Sequence, residues 1–468
     1  MSETLTPAEL AEQRTREILH AQAYVRDLVV DSPPGAGKTG VVERLAVQSA
    51  WGRGQRVLIA TQTNAQAFDL ARRLAENWKP NVCLFTRKGL ALPHELGELR
   101  NLWRVEDPRD FPDGPCVIVA NSRKWSFARH IDDGSFDLMI VEEAYQLRDA
   151  EFVQIAGFAK RRVLVGDPGQ IDPVTSADIS RWAAMPDGPH VAAPAALLRR
   201  RPTATVQMKL PVSRRLPHDT VRVVQPAFYP DLPFSATSQP EDRLLLPGPV
   251  TIGRSSIDEM IDRAAEGATL VMGELPDRVT GEFDSELAQR IVDLIGRLLE
   301  RRTRVRDFEY KPESEREVPL TPDQIGVTCG HRSQVNAIQE RLGQLQSRLG
   351  SPADGAPDLS RVLVETSDRF QGLERQVMIV HHPLAGRLAA SDFHLDAGRL
   401  CVMLSRHRVA CFIFGRDGMA ERLDRQQAPA QRILGPVPDR LYEGNSRHRA
   451  LLRLLAAEDR IVPIRDAA

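Results

Sequence analysis

Residues 29–40 read VVDSPPGAGKTG. An apolar strand gives way to a Gly-rich turn, and a helix is expected to begin near Lys38. A turn of this kind, built from Pro34, Gly35, Ala36 and Gly37, lets several backbone N–H groups converge on phosphate oxygens, and the helix N-terminus adds its dipole. Lys38 then reaches the β- and γ-phosphates, and Thr39 holds Mg²⁺. The strict form of the loop has Gly where this chain has Ser32, whose side chain is small enough for the turn.

Outward from this loop, residues 1–170 alternate short apolar runs with longer amphipathic stretches, as a parallel sheet covered by helices requires. The runs are DLVVDS (27–32), RVLIAT (56–61), CVIVAN (116–121), FDLMIVEEA (136–144) and RVLVGD (162–167). The pattern restarts at ATLVMG (268–273). A helix follows from Ser285 to about Arg301, with Leu287, Ile291, Leu294, Ile295, Leu298 and Leu299 on one face, and strands are expected at 325–329, 361–366, 376–381 and 410–415. The expectation is two α/β cores. Residues 188–218, rich in Arg and Pro, read as the link between them, and 78–115, 301–323 and 347–360 read as surface excursions.

Composition bounds the partners. The 468 residues carry 62 basic against 63 acidic side chains, a net charge of −1, which excludes a histone-like coating protein. Only seven of the basic residues are lysines. Arginine suits bidentate phosphate contacts, and a GC-rich genome produces the same bias. The five cysteines are scattered without a CxxC pair, against a disulfide framework, a zinc ribbon or an iron–sulfur cluster. No apolar run approaches a membrane span, and the start MSETLTPAELAEQR has no export pattern, so a cytoplasmic location and no membrane partner are expected.

Two further strand ends narrow the chemistry. FDLMIVEEAYQ (136–146) ends in Glu142 and Glu143, where a metal-associated carboxylate and a water-activating base are expected beside a phosphate loop. VLVGDPGQIDPV (163–174) offers Asp167 and Gln170 to sense the γ-phosphate or orient water.

The ordered set SPPGAGKT, VEEAYQ, GDPGQ, LPVSRRLP with FY beyond it, SDRFQGLERQ and CVMLSRHR resembles superfamily 1 helicases, most of all the branch of the RNA-surveillance helicases and their DNA-replication relatives. The likeness runs over roughly residues 10–415. It implies two RecA-like P-loop domains with parallel sheets and an ATP site in the inter-domain cleft: 1–198, 199–435, and a helical tail at 436–468. It also implies roles. Gln13 reads adenine, Lys38 and Thr39 hold ATP and Mg²⁺, Glu142 supports the metal, and Glu143 is the base. Gln170 is a sensor, Arg215 and Arg406 clamp the γ-phosphate, Gln371 and Gly372 couple nucleotide to nucleic acid, and Glu374 lies near the ribose. Thr63, Asn64, Asn121, Ser122, Thr366 and Asp368 match positions that grip a single strand of DNA or RNA; ordinary helix capping is the alternative for them. Trp125, Tyr145 or Phe370 could each offer one stacking ring.

The implied activity is ATP hydrolysis coupled to 5′ to 3′ movement on a single strand. The alternative is an ATP-dependent clamp or loader that does not step. Glu142 stands where the family usually has Asp, and Arg214 where it usually has Tyr. The accessory barrel of the branch has no room before Gln13 or between 67 and 116, so a protein partner is expected to supply any strand-separating or recruiting element.

Overall fold

The computed structural model describes residues 5–78, 81–173, 175, 181–182, 185, 188–251, 253–281, 283–308, 316–425 and 440–465. The chain divides into two compact units. Met1–Pro168 and Asp172–Val212 belong to the first, and Gly169–Ile171, Ser213–Leu434 and Pro438–Ala468 to the second.

In the first unit the strands are β1 (Asp27–Asp31), β2 (Arg56–Thr61), β3 (Val82–Phe85), β4 (Leu102–Val105), β5 (Cys116–Asn121), β6 (Phe136–Glu142), β7 (Ala159–Gly166) and β8 (Thr205–Lys209). They form one sheet in the order β4-β3-β5-β2-β6-β7-β1-β8, and each pairing is parallel. Continuous apolar runs make such strands, because both faces are covered. Val57, Leu58, Ile59 and Ala60 of β2 are all fully buried. Helices Lys38–Val47 and Asn64–Trp78 cover one face through Val42, Leu45, Leu70 and Leu74. On the other face lie Trp125, Phe152, Ile155 and Leu197. Each such side chain contributes roughly 1.5–3 kcal/mol by leaving water.

A parallel sheet delivers all its carboxyl ends to one edge, and ligands of open α/β sheets bind there. The phosphate loop follows β1, Thr63 and Asn64 follow β2, Asn121 ends β5, Glu142 ends β6, and Asp167 follows β7. The topology thereby gathers motifs spread over 140 residues of sequence.

The second unit has a six-stranded parallel sheet in the order Leu363–Thr366, Ile325–Cys329, Arg375–His381, His407–Arg416, Leu270–Leu275, Ile461–Pro463. Helix Ser285–Glu300 packs on it with Leu287, Ile291, Leu294, Ile295 and Leu298 buried, the face read from the sequence, whereas Leu299 is only partly buried. Helix Arg440–Ala457 belongs to the same unit.

Three stretches read as connections are ordered elements. Residues 188–218 hold helix Ala193–Arg200 and strand β8, which pairs with β1 from Asp27↔Thr205 to Asp31↔Lys209. The first sheet therefore continues past residue 198. Residues 78–115 supply β3 and β4, and strands Arg304–Asp307 and Glu317–Pro319 join Arg243–Leu246 in an antiparallel sheet. No helix among the described residues is long and apolar enough to cross a membrane.

Candidate nucleotide site and nucleic-acid interface

Gly35 and Gly37 have φ of 71° and 84°, the left-handed region that L side chains avoid, so both glycines are required by the turn. Ser32 lies outside that region, which is why a side chain is tolerated there. Its N–H donates to Gly166 O over 2.9 Å, tying the loop to the end of β7. Helix Lys38–Val47 starts at Gly37 with no side-chain cap and no acid in its first turn. Its first N–H groups, which every helix leaves without intrahelical partners, are thus directed at the loop.

Three carboxylates face this helix start. Thr39 Oγ1 donates to Glu142 Oε1 over 2.8 Å. Lys38 Nζ lies 3.5 Å from Glu143 Oε1 and 3.9 Å from Asp167 Oδ2. Burial pushes the Glu142 carboxyl up to about 7, the neighbouring charge of Glu143 adding to the shift and the Thr39 hydrogen bond and Lys38 opposing it. Such a group gives up its proton readily to a divalent cation. The residues therefore fit Mg²⁺, with Thr39 and Glu142 as the protein's share of its shell.

Glu143 sits at φ 50°, ψ 46°, and so turns its side chain out of line with β6. The turn Ala144–Gln146 that follows packs so closely on β7 that a Cβ on Gly166 would lie 2.9 Å from the Ala144 and Tyr145 nitrogens. Tyr145 Oη donates to Asp31 Oδ1 over 2.7 Å, and Gln207 of β8 donates to Asp31 Oδ2 over 2.5 Å. The turn that follows Glu143, the strand leading into the phosphate loop and β8 are thus joined at one buried carboxylate. Sequence reading missed Asp31 and Gln207, because neither stands in a motif.

Gln13 lies exposed on helix Pro7–Ala21, its amide donating to Glu17 over 3.0 Å. Its neighbour Glu12 pairs with Arg44 of the phosphate-loop helix at 2.8 Å, which anchors one helix to the other.

At the ends of β2 and β5, whose Thr61 and Asn121 are register partners, Asn121 Nδ2 donates to Asn64 Oδ1. Thr63 Oγ1 caps Gln66 N over 3.2 Å, and Asn121 Oδ1 caps Lys124 N over 2.7 Å, so capping is real at both. Ser122 is buried beside them. None of the three candidate rings is free for a base. Trp125 and Phe370 are fully buried, Trp125 donating to Ile59 O over 2.9 Å, and Tyr145 is held by Asp31.

In the second unit, Arg215 Nε donates to Glu374 Oε2 over 2.7 Å and its Nη1 to Ser405 O over 3.3 Å. Against partial desolvation, the arginines 215, 408 and 243 hold the Glu374 carboxyl below its ordinary range. Arg406, one residue beyond Ser405, is buried and donates from Nε to Val402 O over 3.1 Å. Arg243 donates to the carbonyls of Arg214 and Arg215, and also to Asp307, which Arg408 Nε meets at 2.6 Å. Sequence reading missed this frame around Arg215; Asp307 lies in a polar stretch with no local signal. Gln371 donates to Gln170 over 3.4 Å, and Gly372 has φ 85°. Gln170 is seated closely: a Cβ on Gly398 would lie 2.4 Å from its carbonyl. Thr366 ends its strand, and Asp368 accepts from Arg399 over 3.2 Å.

Residues 284–418 match the AAA domain family. The matched segment, less than a third of the chain, carries Thr366, Asp368, Gln371, Gly372, Glu374 and Arg406, and it supports the likeness to superfamily 1 helicases read from the motifs. The large parallel sheets of the two units agree with two RecA-like domains. No curated protein matched. Among solved structures, the chain is similar to the PRRSV helicase at 15% identity and TM-score 0.40, covering 85% of this chain and 54% of that one. It is similar to Arterivirus nonstructural protein 10 (helicase) at 13% identity and TM-score 0.41, covering 88% and 64%. The same protein in complex with DNA gives 13% identity and TM-score 0.41, covering 87% and 65%. The chain spans less than two thirds of the length of these proteins.

Proposed function

We propose that this chain is a nucleic-acid-stimulated ATPase that moves 5′ to 3′ along a single strand of DNA or RNA. The observation that carries the reading is the joining of Thr39, Glu142, Glu143 and Lys38 at one helix N-terminus. The direction of movement rests on the resemblance to the 5′ to 3′ branch.

ATP binds with its β- and γ-phosphates on the loop N–H groups and Lys38, and Gln13 serves the adenine. Thr39 and Glu142 would hold Mg²⁺, which would supply positive charge to the phosphate oxygens. Glu143 takes the proton of the attacking water, giving ADP and inorganic phosphate, with Asp167 and Gln170 placing the water. Arg215 and Arg406 offset the charge that develops on the γ-phosphate, a role worth ~10³–10⁵ in rate in related sites. Thr63, Asn64, Asn121, Ser122, Thr366 and Asp368 hold the strand by its backbone. Gln371 and Gly372 link strand and nucleotide, and the Gln371–Gln170 hydrogen bond supports that link. Duplex separation falls to a protein partner.

The test is ATP turnover with and without single-stranded DNA and RNA at low salt, followed by displacement of a block from the 3′ or the 5′ end of a labelled strand. Stimulation of several-fold and displacement from the 3′ end alone are expected. Equal turnover in all conditions would refute the reading, and stimulation without displacement would favour the non-stepping clamp.

A further inference from the structure

The three rings read as stacking candidates are all engaged elsewhere, yet one aromatic stands in solvent beside a basic cavity. Phe283 is 52% exposed and Val279 56%, both in the loop that follows strand Leu270–Leu275. With this loop, Arg278, Arg341 and Arg416 line a cavity of about 710 Å³.

The charges of this cavity are unequally neutralised. Among the described residues its two acids, Asp284 and Glu286, are both taken by the buried Arg416, at 2.7 Å each. Among the described residues Arg278 reaches only the already shared Glu286, at 3.8 Å, and is 70% exposed. Arg341 donates to neutral oxygens, Ser285 Oγ at 2.5 Å and Ala337 O at 3.1 Å. Two guanidinium groups therefore face the cavity with little counter-charge, flanked by the hydroxyl-bearing Thr280 and Ser285.

The loop is also anchored at Thr280. Thr280 N–H donates to Gly386 O over 2.8 Å, and a Cβ on Gly386 would come within 2.1 Å of Thr280 Oγ1. The position is informative as well. Thr366 and the loop after Leu275 lie at the carboxyl ends of strands in one parallel sheet, four strand positions apart. At ~4.8 Å per position the two are ~19 Å apart along one edge.

An exposed ring beside arginines is the combination that holds single strands without sequence preference. We infer that this cavity is a second binding point for single-stranded nucleic acid, in which Phe283 stacks on a base while Arg278 and Arg341 contact the flanking phosphates. The inference rests on the single-strand reading above and adds a subsite that none of its motifs contains.

The test is fluorescence anisotropy of labelled dT20 and rU20 with the full chain over a range of salt. Phe283→Ala is expected to weaken both by about tenfold with an unchanged salt slope, and Phe283→Tyr to restore binding. Arg341→Ala and Arg278→Ala are each expected to weaken binding and lower the slope by about one phosphate contact. ATP turnover without nucleic acid should stay at the parent rate in all four variants. Parent-like affinity and slope in Phe283→Ala and Arg341→Ala, while Asp368→Ala weakens binding, would overturn the subsite and leave the motor reading standing. A parent chain that binds neither strand would overturn both.

Discussion

Thr39 donates its hydroxyl hydrogen to Glu142 Oε1 over 2.8 Å across 103 positions of sequence. The bond locks the start of the phosphate-loop helix to the end of β6, so both oxygens that would meet a metal are set before any nucleotide arrives. Thr39→Ala should raise the Mg²⁺ concentration for half-maximal turnover by about tenfold or more. Glu142→Ala should do the same, and chelation of Mg²⁺ should stop turnover in every variant. A Mg²⁺ titration of ATP turnover checks this; an unchanged midpoint in Thr39→Ala would move the metal site elsewhere.

Glu143 is the carboxylate whose backbone has left the line of the strand, at φ 50°. Glu143→Gln keeps the shape and removes the proposed base, so ATP affinity should persist while turnover falls by ~10²–10⁴. Lys38→Ala, in contrast, should lose affinity as well. Nucleotide binding followed by a fluorescent analogue, beside steady-state turnover, separates the two. Parent-rate hydrolysis by Glu143→Gln would assign the base to another residue.

Arg215 is held by Glu374 and by the Ser405 carbonyl. Arg215→Ala should lower kcat by ~10³ with little change in KM for ATP, the pattern of a group that acts in the transition state. Arg215→Lys should not recover the rate, because an ammonium lacks the two-pronged geometry of a guanidinium. A rise in KM with kcat preserved would argue for a role in binding alone.

Four buried histidines in the second unit make it acid-sensitive. Burial drives His381 down to about 4, His407 and His448 to about 3, and His382 well below its ordinary value. Below pH ~6.5 the unfolded chain takes up protons that these rings refuse, so stability is full above that pH and falls as pH drops toward 4. Urea midpoints at pH 7.5 and 5.0 should therefore differ, the lower pH being the weaker. Both ring nitrogens of His448 are buried without a hydrogen-bond partner among the described residues. His448→Leu should raise stability by about 1–3 kcal/mol and flatten the pH dependence.

The parts legible in the sequence were those where one residue type answers one physical demand. Gly35 and Gly37 announce a left-handed turn, and the runs at 56–61 and 136–142 announce strands buried on both faces. β8 escaped because TVQMK looks half polar: as an edge strand it exposes Val206 and Gln207, while its backbone bonds to β1 decide its state. Trp125 and Phe370 invited a stacking role, but ring type alone does not tell a core residue from a platform. Phe283 drew no attention, since a single Phe in a polar loop has no periodic signal. The frame of Arg243, Asp307 and Arg408 around Arg215 joins distant stretches, Asp307 and Arg408 alone being 101 positions apart, and exists only once the sheet is built.

Strand Ile461–Pro463 lies parallel to Leu270–Leu275, with Met272 opposite Ile461. It covers the flank of a strand whose residues Leu270, Val271 and Met272 are fully buried. A shortened chain ending before residue 461 would bare the backbone groups of Met272, Gly273 and Glu274, and an uncovered flank of this kind recruits other chains. Expression trials thus have a practical rule: fusion tags belong after residue 465 on a flexible spacer, and trimmed versions lacking 461–463 should precipitate where the full chain stays in solution.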